Sequence, residues 1–307
     1  MAGKVFRIIL FGGLGDALLS TPAFRALKKE YPGCRIVLFC FNNRQKTIFK
    51  NNPHIDRVTR TSFLRNPVSF IRYYMKWAKF HDDFYAGLMP TLFGNKNSKE
   101  LIADLLGVPL KDDKIEVFFS PEEEKKARNV MAQYKNPIVM HITSQTSKNQ
   151  EWELESWEAL VEQMPEYTFI QLGIESEARV KNAVDLRGKV SFRDTLALIK
   201  YSRSFVGVNS SFSHATNAFD IPGVVLFGPS QPTIWGHDNN INIYKPLRCS
   251  PCLDLIFRAP CPYGKPCMKS ITVEEVKTAL LQQLQAQPAE YALAEMINDL
   301  ELKNLFD

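Results

Sequence analysis

Apolar residues in this chain fall into short continuous runs separated by longer amphipathic stretches. Residues 5–11 (VFRIILF) and 35–41 (RIVLFCF) predict two buried strands, and 15–31 between them predicts a helix. Pro22 falls early in that helix, where its missing N–H costs least, and Pro32-Gly33 ends it. Residues 55–58 and 84–89 predict further strands, and 98–106 a helix stopped by Gly107. Residues 67–80 predict a helix whose broad apolar face carries Phe70, Ile71, Tyr74, Met75, Trp77 and Ala78. A polar helix over 122–134 then meets the break at Asn136-Pro137.

Beyond that break the rhythm restarts. Strands are predicted at 138–141, 167–172, 185–187, 204–208 and 223–227, with helices at 154–164, 175–183, 192–201, 213–219 and 272–285. Continuous apolar strands between helices imply parallel sheets covered on both faces, with right-handed crossovers. The expected fold is therefore α/β, with two Rossmann-like, doubly wound domains, 1–135 and 136–287, facing a central cleft. Residues 288–307 predict a last amphipathic helix that crosses back over the first domain.

Composition adds little to this. A chain of 307 residues with 45% hydrophobic and 23% charged positions is an ordinary soluble globular protein of two-domain size. No secretory signal opens it and no apolar run is long enough to span a bilayer, so the expectation is a cytoplasmic protein. The net charge of +5 is too small to argue for nucleic acid. The positive charge is uneven, however. Arg44, Lys46, Lys50, Arg57, Arg60, Arg65, Arg72, Lys76 and Lys79 follow one another with Asp56 as the sole acid among them. Such a stretch is either a solvated face or a surface for an anionic partner, such as a phosphorylated glycan or the inner face of a membrane.

Candidate chemistry begins at residues 11–22 (FGGLGDALLSTP). Gly13-x-Gly15 resembles the start of a dinucleotide fingerprint, but the third glycine position is Leu18. The second strand also ends in Phe41-Asn42-Asn43, without an acid for a ribose hydroxyl. No Gly-Lys-Ser/Thr follows, which excludes a P-loop. What remains is Asp16 in the first turn of a helix, either a favourable structural charge or a general base.

Residues 205–235 (FVGVNSSFSHATNAFDIPGVVLFGPSQPTIW) hold a second candidate. A strand ends at Val208, and Asn209, Ser210 and Ser211 then open a helix, with His214 one turn in. Small polar side chains at a helix N-terminus suit a phosphate, although they also describe any capped helix. Farther on, Cys249, Cys252, Cys261 and Cys267 lie within nineteen residues. Cys34 and Cys40 flank a predicted strand as buried thiols. The four clustered cysteines could close a tetrahedral site for structural zinc or iron, stay free thiols, or pair as disulfides, which a reducing cytoplasm disfavours.

Four blocks together resemble glycosyltransferase family nine, the ADP-heptose:lipopolysaccharide heptosyltransferases. They are GGLGDALLSTPAFRALKKEYPG, HITSQTSKNQEWELESWEAL, VGVNSSFSHATNAFDIPGVVLFGPS and the cysteine block CSPC…CMKSITVEEV, in the family's order over nearly the whole chain. The resemblance implies a GT-B fold, with the acceptor held mainly by the first domain and the nucleotide-sugar by the second. It implies inversion at the anomeric carbon with no cofactor in the chemistry, and it places Asp16 as the base. Gly12, Gly13 and Gly15 then form the acceptor-side loop.

On the donor side Asn209, Ser210, Ser211 and His214 are the expected phosphate group. Thr143 and Ser144, in the turn after a strand, are further phosphate candidates, and Gly173 and Glu175, after the strand at 167–172, are candidates for the nucleoside. Two positions depart from the family. Asn209-Ser210-Ser211 stands where many members carry Asp-Thr/Ser-Gly, and the expected lysine before the tryptophan is absent from 149–151. Lys148 is then the available cation, and with His214 it is expected to neutralise the leaving diphosphate. Related protein heptosyltransferases hold iron through cysteines like those here, and a protein hydroxyl is accordingly an alternative acceptor. A non-catalytic nucleotide-sugar-binding protein, suggested by the altered Asn-Ser-Ser, and an epimerase of the same architecture are further alternatives. The leading expectation is transfer of heptose, or a similar sugar, to a lipopolysaccharide-core or related glycan.

Overall fold

The computed structural model describes residues 4–10, 12–40, 42–60, 84–86, 96–252 and 259–285. It contains two parallel sheets. The first is formed by β1 (Val5–Leu10), β2 (Arg35–Cys40), β3 (Arg57–Arg60) and β4 (Phe84–Ala86), in the order β3-β2-β1-β4. The second joins β5 (Pro137–His141), β6 (Thr168–Gln171), β7 (Val184–Asp185), β8 (Ser204–Val208), β9 (Gly223–Phe227) and β10 (Asn240–Tyr244), in the order β10-β9-β8-β5-β6-β7. Every strand of β5, β8 and β9 is buried along its whole length, which is why these read as unbroken apolar runs.

The helices in chain order are α1 (Leu14–Leu19), α2 (Thr21–Glu30), α3 (Asn43–Ile48), α4 (Ser98–Leu105), α5 (Pro121–Met131), α6 (Leu154–Glu162), α7 (Phe192–Lys200), α8 (Ser211–Ala218), α9 (Pro232–Trp235), α10 (Pro266–Lys269) and α11 (Val273–Gln285). The sequence predicts one helix over 15–31, and the structure divides it at Ser20. The Ser20 and Thr21 hydroxyls turn back to the carbonyls of Ala17 and Leu18, and Pro22 starts the new helix without needing a donor.

The helix predicted over 175–183 does not form. Its backbone groups are taken by side chains instead: Gln171 bonds the Ala178 carbonyl at 2.7 Å and the Val180 N–H at 2.8 Å, and Arg187 donates to the Glu177 carbonyl. Short elements that the pattern does not announce also appear. β10 has Asn at alternate positions, a poor strand signal, while α3 is set by the Asn42 cap, which accepts from Gln45 N–H at 2.9 Å. The helices predicted over 67–80 and 288–307 lie outside the described residues, as do Arg65, Arg72, Lys76 and Lys79 of the basic stretch.

One buried cluster runs through both halves, uniting Phe6, Leu18 and Phe24 with Leu196, Phe205 and Ala215. A second lies on the other face of the larger sheet, around Trp152 and Trp157. Residues 109–120 cross between the halves, where the Ile115 N–H meets Asn217 Oδ1 at 2.9 Å and the Glu116 N–H meets Thr21 Oγ1 at 2.9 Å. The carboxyl ends of β1, β5 and β8 therefore face the same seam, with α1 packed on α8.

Candidate active site

Asp16 sits in the first turn of α1, and its Oδ2 accepts from the Gly13 N–H at 2.6 Å. A side chain on Gly12 would collide with that carboxyl, so the loop must be glycine there for Asp16 to fold back. Burial pushes the Asp16 carboxyl above its ordinary range, opposed in part by the Gly13 hydrogen bond. Gln45, fully buried on α3, donates to the Gly12 carbonyl at 2.6 Å and fixes the loop from the other side. Its long-range role leaves no local signal in the sequence.

Gly15 is the contact point between the halves. A Cβ there would lie 3.0 Å from His214 Cδ2 and 3.3 Å from Nε2. The absence of a side chain thus lets α1 approach the start of α8 closely. Gly15, the residue before Asp16, thus meets His214 and the Cα of Ser211, distant in sequence.

Around Asn209 the structure builds an uncharged network. Gln150 Nε2 donates to Ser144 Oγ at 2.8 Å, Ser230 Oγ donates to Gln150 Oε1 at 2.9 Å, and Asn209 Nδ2 reaches Ser230 Oγ at 3.3 Å. All four residues are buried, and Asn209 Oδ1 has no partner. Lys148 does not join them. It opens a short 3-10 turn, its side chain is 81% exposed, and its Nζ pairs with Glu151 at 3.0 Å. That turn carries Gln150, two residues later, into the buried position. The spacing from Trp152 was the available signal for Gln150.

Ser210 is drawn to the larger sheet: its Oγ lies 3.0 Å from His141 Nδ1. The Ser210 N–H is capped by Ser213 Oγ at 3.1 Å. His141 also lies 3.7 Å from Glu177, whose side chain is 5% exposed and whose Oε2 has no hydrogen-bond partner. Burial pushes the Glu177 carboxyl up, but His141, Thr143 and the Ile174 backbone together outweigh this and hold it low. Gly173, at φ +144°, leaves the space that Glu177 occupies. Glu175 is exposed and lies against Gly188. Glu177, rather than Glu175, is thus the carboxylate beside His141 and the buried Thr143.

His214 is buried and uncharged. Burial, with Lys99 adding to it, lowers its pKa to about 3, and its Nδ1 lies 2.9 Å from Nε2 of His237, itself buried. Its surroundings therefore favour the neutral imidazole over the cation.

The four clustered cysteines lie around the end of β9 and form no disulfide with one another. Cys252 N–H bonds the Pro229 carbonyl at 2.9 Å, Cys261 N–H bonds Asn149 Oδ1 at 3.0 Å, and Cys267 is buried beneath Gly228. Burial pushes the Cys267 thiol up, and Cys249 and Cys261 nearby add to this. Among the described residues, however, no group of three or more Cys, His, Asp or Glu is arranged to hold a metal. The expected structural zinc or iron site is therefore not formed by these side chains as placed.

The fold is shared with solved heptosyltransferases. A glycosyl transferase family 9 structure from Veillonella parvula superposes with a TM-score of 0.72 at 15% identity, covering 94% of this chain and 99% of that one. The ADP-heptose lipopolysaccharide heptosyltransferase II of E. coli gives 0.65 at 14% identity, covering 92% and 98%. The dodecameric iron-containing heptosyltransferase TibC of enterotoxigenic E. coli, solved with ADP-D-beta-D-heptose, gives 0.68 at 15% identity, covering 93% and 77%. These likenesses establish the GT-B architecture. No curated protein matches the sequence. The family model for glycosyltransferase family 9 (heptosyltransferase) matches residues 96–261, more than half the chain. With the glycine loop, the Asn-Ser-Ser helix start and the two sheets meeting at one seam, the chain belongs to glycosyltransferase family 9, the heptosyltransferases.

Proposed function

We propose that this glycosyltransferase moves heptose, or a closely similar sugar, from a nucleotide-diphosphate sugar onto a hydroxyl of a lipopolysaccharide-core or related anionic glycan. ADP-heptose is the first candidate donor, since solved relatives bind it or are named for it. The reaction proceeds with inversion, on the cytoplasmic side of the membrane. Asp16 accepts the proton of the attacking hydroxyl as the new bond forms at the anomeric carbon, and the bond to the diphosphate breaks on the opposite face.

The observation that carries this reading is the packing of α1 on α8 through Gly15 and His214. It sets a carboxylate of raised pKa beside a helix N-terminus lined by Ser210 and Ser211. The hydroxyls and backbone N–H groups of that terminus and a neutral His214 suit a diphosphate that gains charge as it leaves. Glu177 and Gly173, in the loop after β6, suit the nucleoside hydroxyls. No step passes through a metal bound at the cysteines.

The test is Asp16→Asn in a transfer assay with ADP-heptose and a core-glycan acceptor. A general base contributes roughly 100- to 10,000-fold, so kcat should fall by that order while donor binding by calorimetry stays within about twofold. Turnover at the wild-type rate would remove Asp16 from the chemistry.

A further inference from the structure

Two imidazoles meet where α8 approaches α1. His214 Nδ1 and His237 Nε2 are 2.9 Å apart, and the ring planes stand at 89°. That is an edge-on hydrogen bond, with an N–H of one ring aimed at the lone pair of the other. Each neutral ring carries one N–H, so two arrangements make the bond. If His214 donates from Nδ1, its Nε2 is left a bare lone pair and His237 must carry its proton on Nδ1. If His237 donates from Nε2, His214 keeps its proton on Nε2 and His237 Nδ1 is the bare nitrogen.

The surroundings distinguish the two. His237 Nδ1 is buried with no hydrogen-bond partner. A buried N–H with no acceptor is rarer than an acceptor lacking a donor, so the proton belongs on His237 Nε2. A third arrangement, with one ring doubly protonated, is opposed by burial and by Lys99. Lys99 is the charged group acting on both rings, itself almost fully buried and paired with Asp113.

We propose that His237 is a positioning residue that donates from Nε2 to His214 Nδ1, fixing His214 as the Nε2–H tautomer so that it offers a hydrogen bond to an oxygen of the leaving diphosphate. His214 turns its Cδ2–Nε2 edge toward Gly15, the residue before Asp16. In the opposite tautomer a lone pair would face the phosphate oxygen and repel it. A neutral donor held in one tautomer stabilises growing charge without itself titrating. The identity of the recipient rests on the donor-site reading above, whereas the tautomer assignment does not.

The experiment is long-range proton–nitrogen correlation on the whole protein labelled with 15N-histidine, which separates protonated from bare ring nitrogens. His214→Gln assigns the His214 signals by their loss. The expected wild-type spectrum has His214 protonated at Nε2 and bare at Nδ1, unchanged from about pH 5 to 8. His237→Leu should scramble that tautomer and lower kcat about tenfold, with a smaller change in donor KM. His237→Gln, whose amide can still donate to Nδ1, should restore the tautomer and most of kcat. A wild-type His214 protonated at Nδ1, or a tautomer unchanged in His237→Leu, overturns the proposal. If His237→Leu does not fold, the wild-type spectrum decides alone. The predicted tautomer in a protein that transfers no sugar would refute the donor-site reading and leave only the tautomer assignment standing.

Discussion

Asp16 is held between two opposing influences: burial, which favours its neutral form, and the Gly13 N–H, which favours the carboxylate. Burial wins. Because a base must be ionised to accept a proton, the acidic limb of the kcat/KM profile should lie above the ordinary aspartate value of about 3.9. Activity should fall as pH drops through that limb, and a pH–rate profile measures it directly. Gln150 works differently, by satisfying neighbours. Gln150→Leu would leave Ser144, Ser230 and Asn209 short of partners in a buried site, at a cost of about 1–3 kcal/mol. Denaturant unfolding should show that loss, and the Lys148→Ala variant should not, since Lys148 is 81% exposed in a surface pair.

Among the elements, α3, α5 and α7 are joined by Arg193. Its guanidinium meets both Glu123 oxygens at 2.7 and 2.8 Å and the Thr47 carbonyl at 2.8 Å, as well as the Phe118 carbonyl. Glu123 also caps α5 by accepting from the Ser120 N–H at 2.8 Å. Arg193→Ala should destabilise by about 2–4 kcal/mol, because it leaves a partly buried carboxylate with the exposed Lys50 as its remaining cation. Arg193 holds the Glu123 carboxyl well below the usual range. The stability this brings is therefore complete above the unfolded value of about 4.3 and lost as pH falls below it. Thermal melts from pH 7 to 3 should show that loss in the wild type and a weaker one in Arg193→Ala.

At the scale of the molecule, the two sheets share a buried cluster, and residues 109–120 tie them along the seam. The nucleotide-sugar proposed to bind at that seam should therefore stabilise both halves together. At a concentration 100 times its Kd it adds about 2.7 kcal/mol to the native state, a shift of several degrees in Tm. A melting panel of ADP-, GDP-, UDP- and dTDP-sugars should give its largest shift with the ADP-sugar. A larger shift with another base would reassign the donor.

Much of this molecule can be read from residue order. The buried strands β1, β2, β5, β8 and β9 follow from continuous apolar runs, because a parallel sheet covered on both faces leaves no polar alternation. Asp16 and the Asn209-Ser210-Ser211 helix start are also local features, since loop glycines and capping residues act on their immediate neighbours. What local pattern misses depends on partners far along the chain. Gln171 and Arg187 replace a helix over 175–183 with a loop and thereby place Glu177, not Glu175, beside His141. A single 3-10 turn puts Gln150 inside and Lys148 in solvent. His237 bonds His214 from 23 residues away, through a turn no periodicity marks. The sequence by itself determined the α/β architecture and the local glycine-loop and helix-start features of the candidate site, because burial and capping are written locally. Only the tertiary structure decided which polar groups face one another and which remain uncharged, because desolvation and hydrogen bonding depend on neighbours that the fold alone brings together.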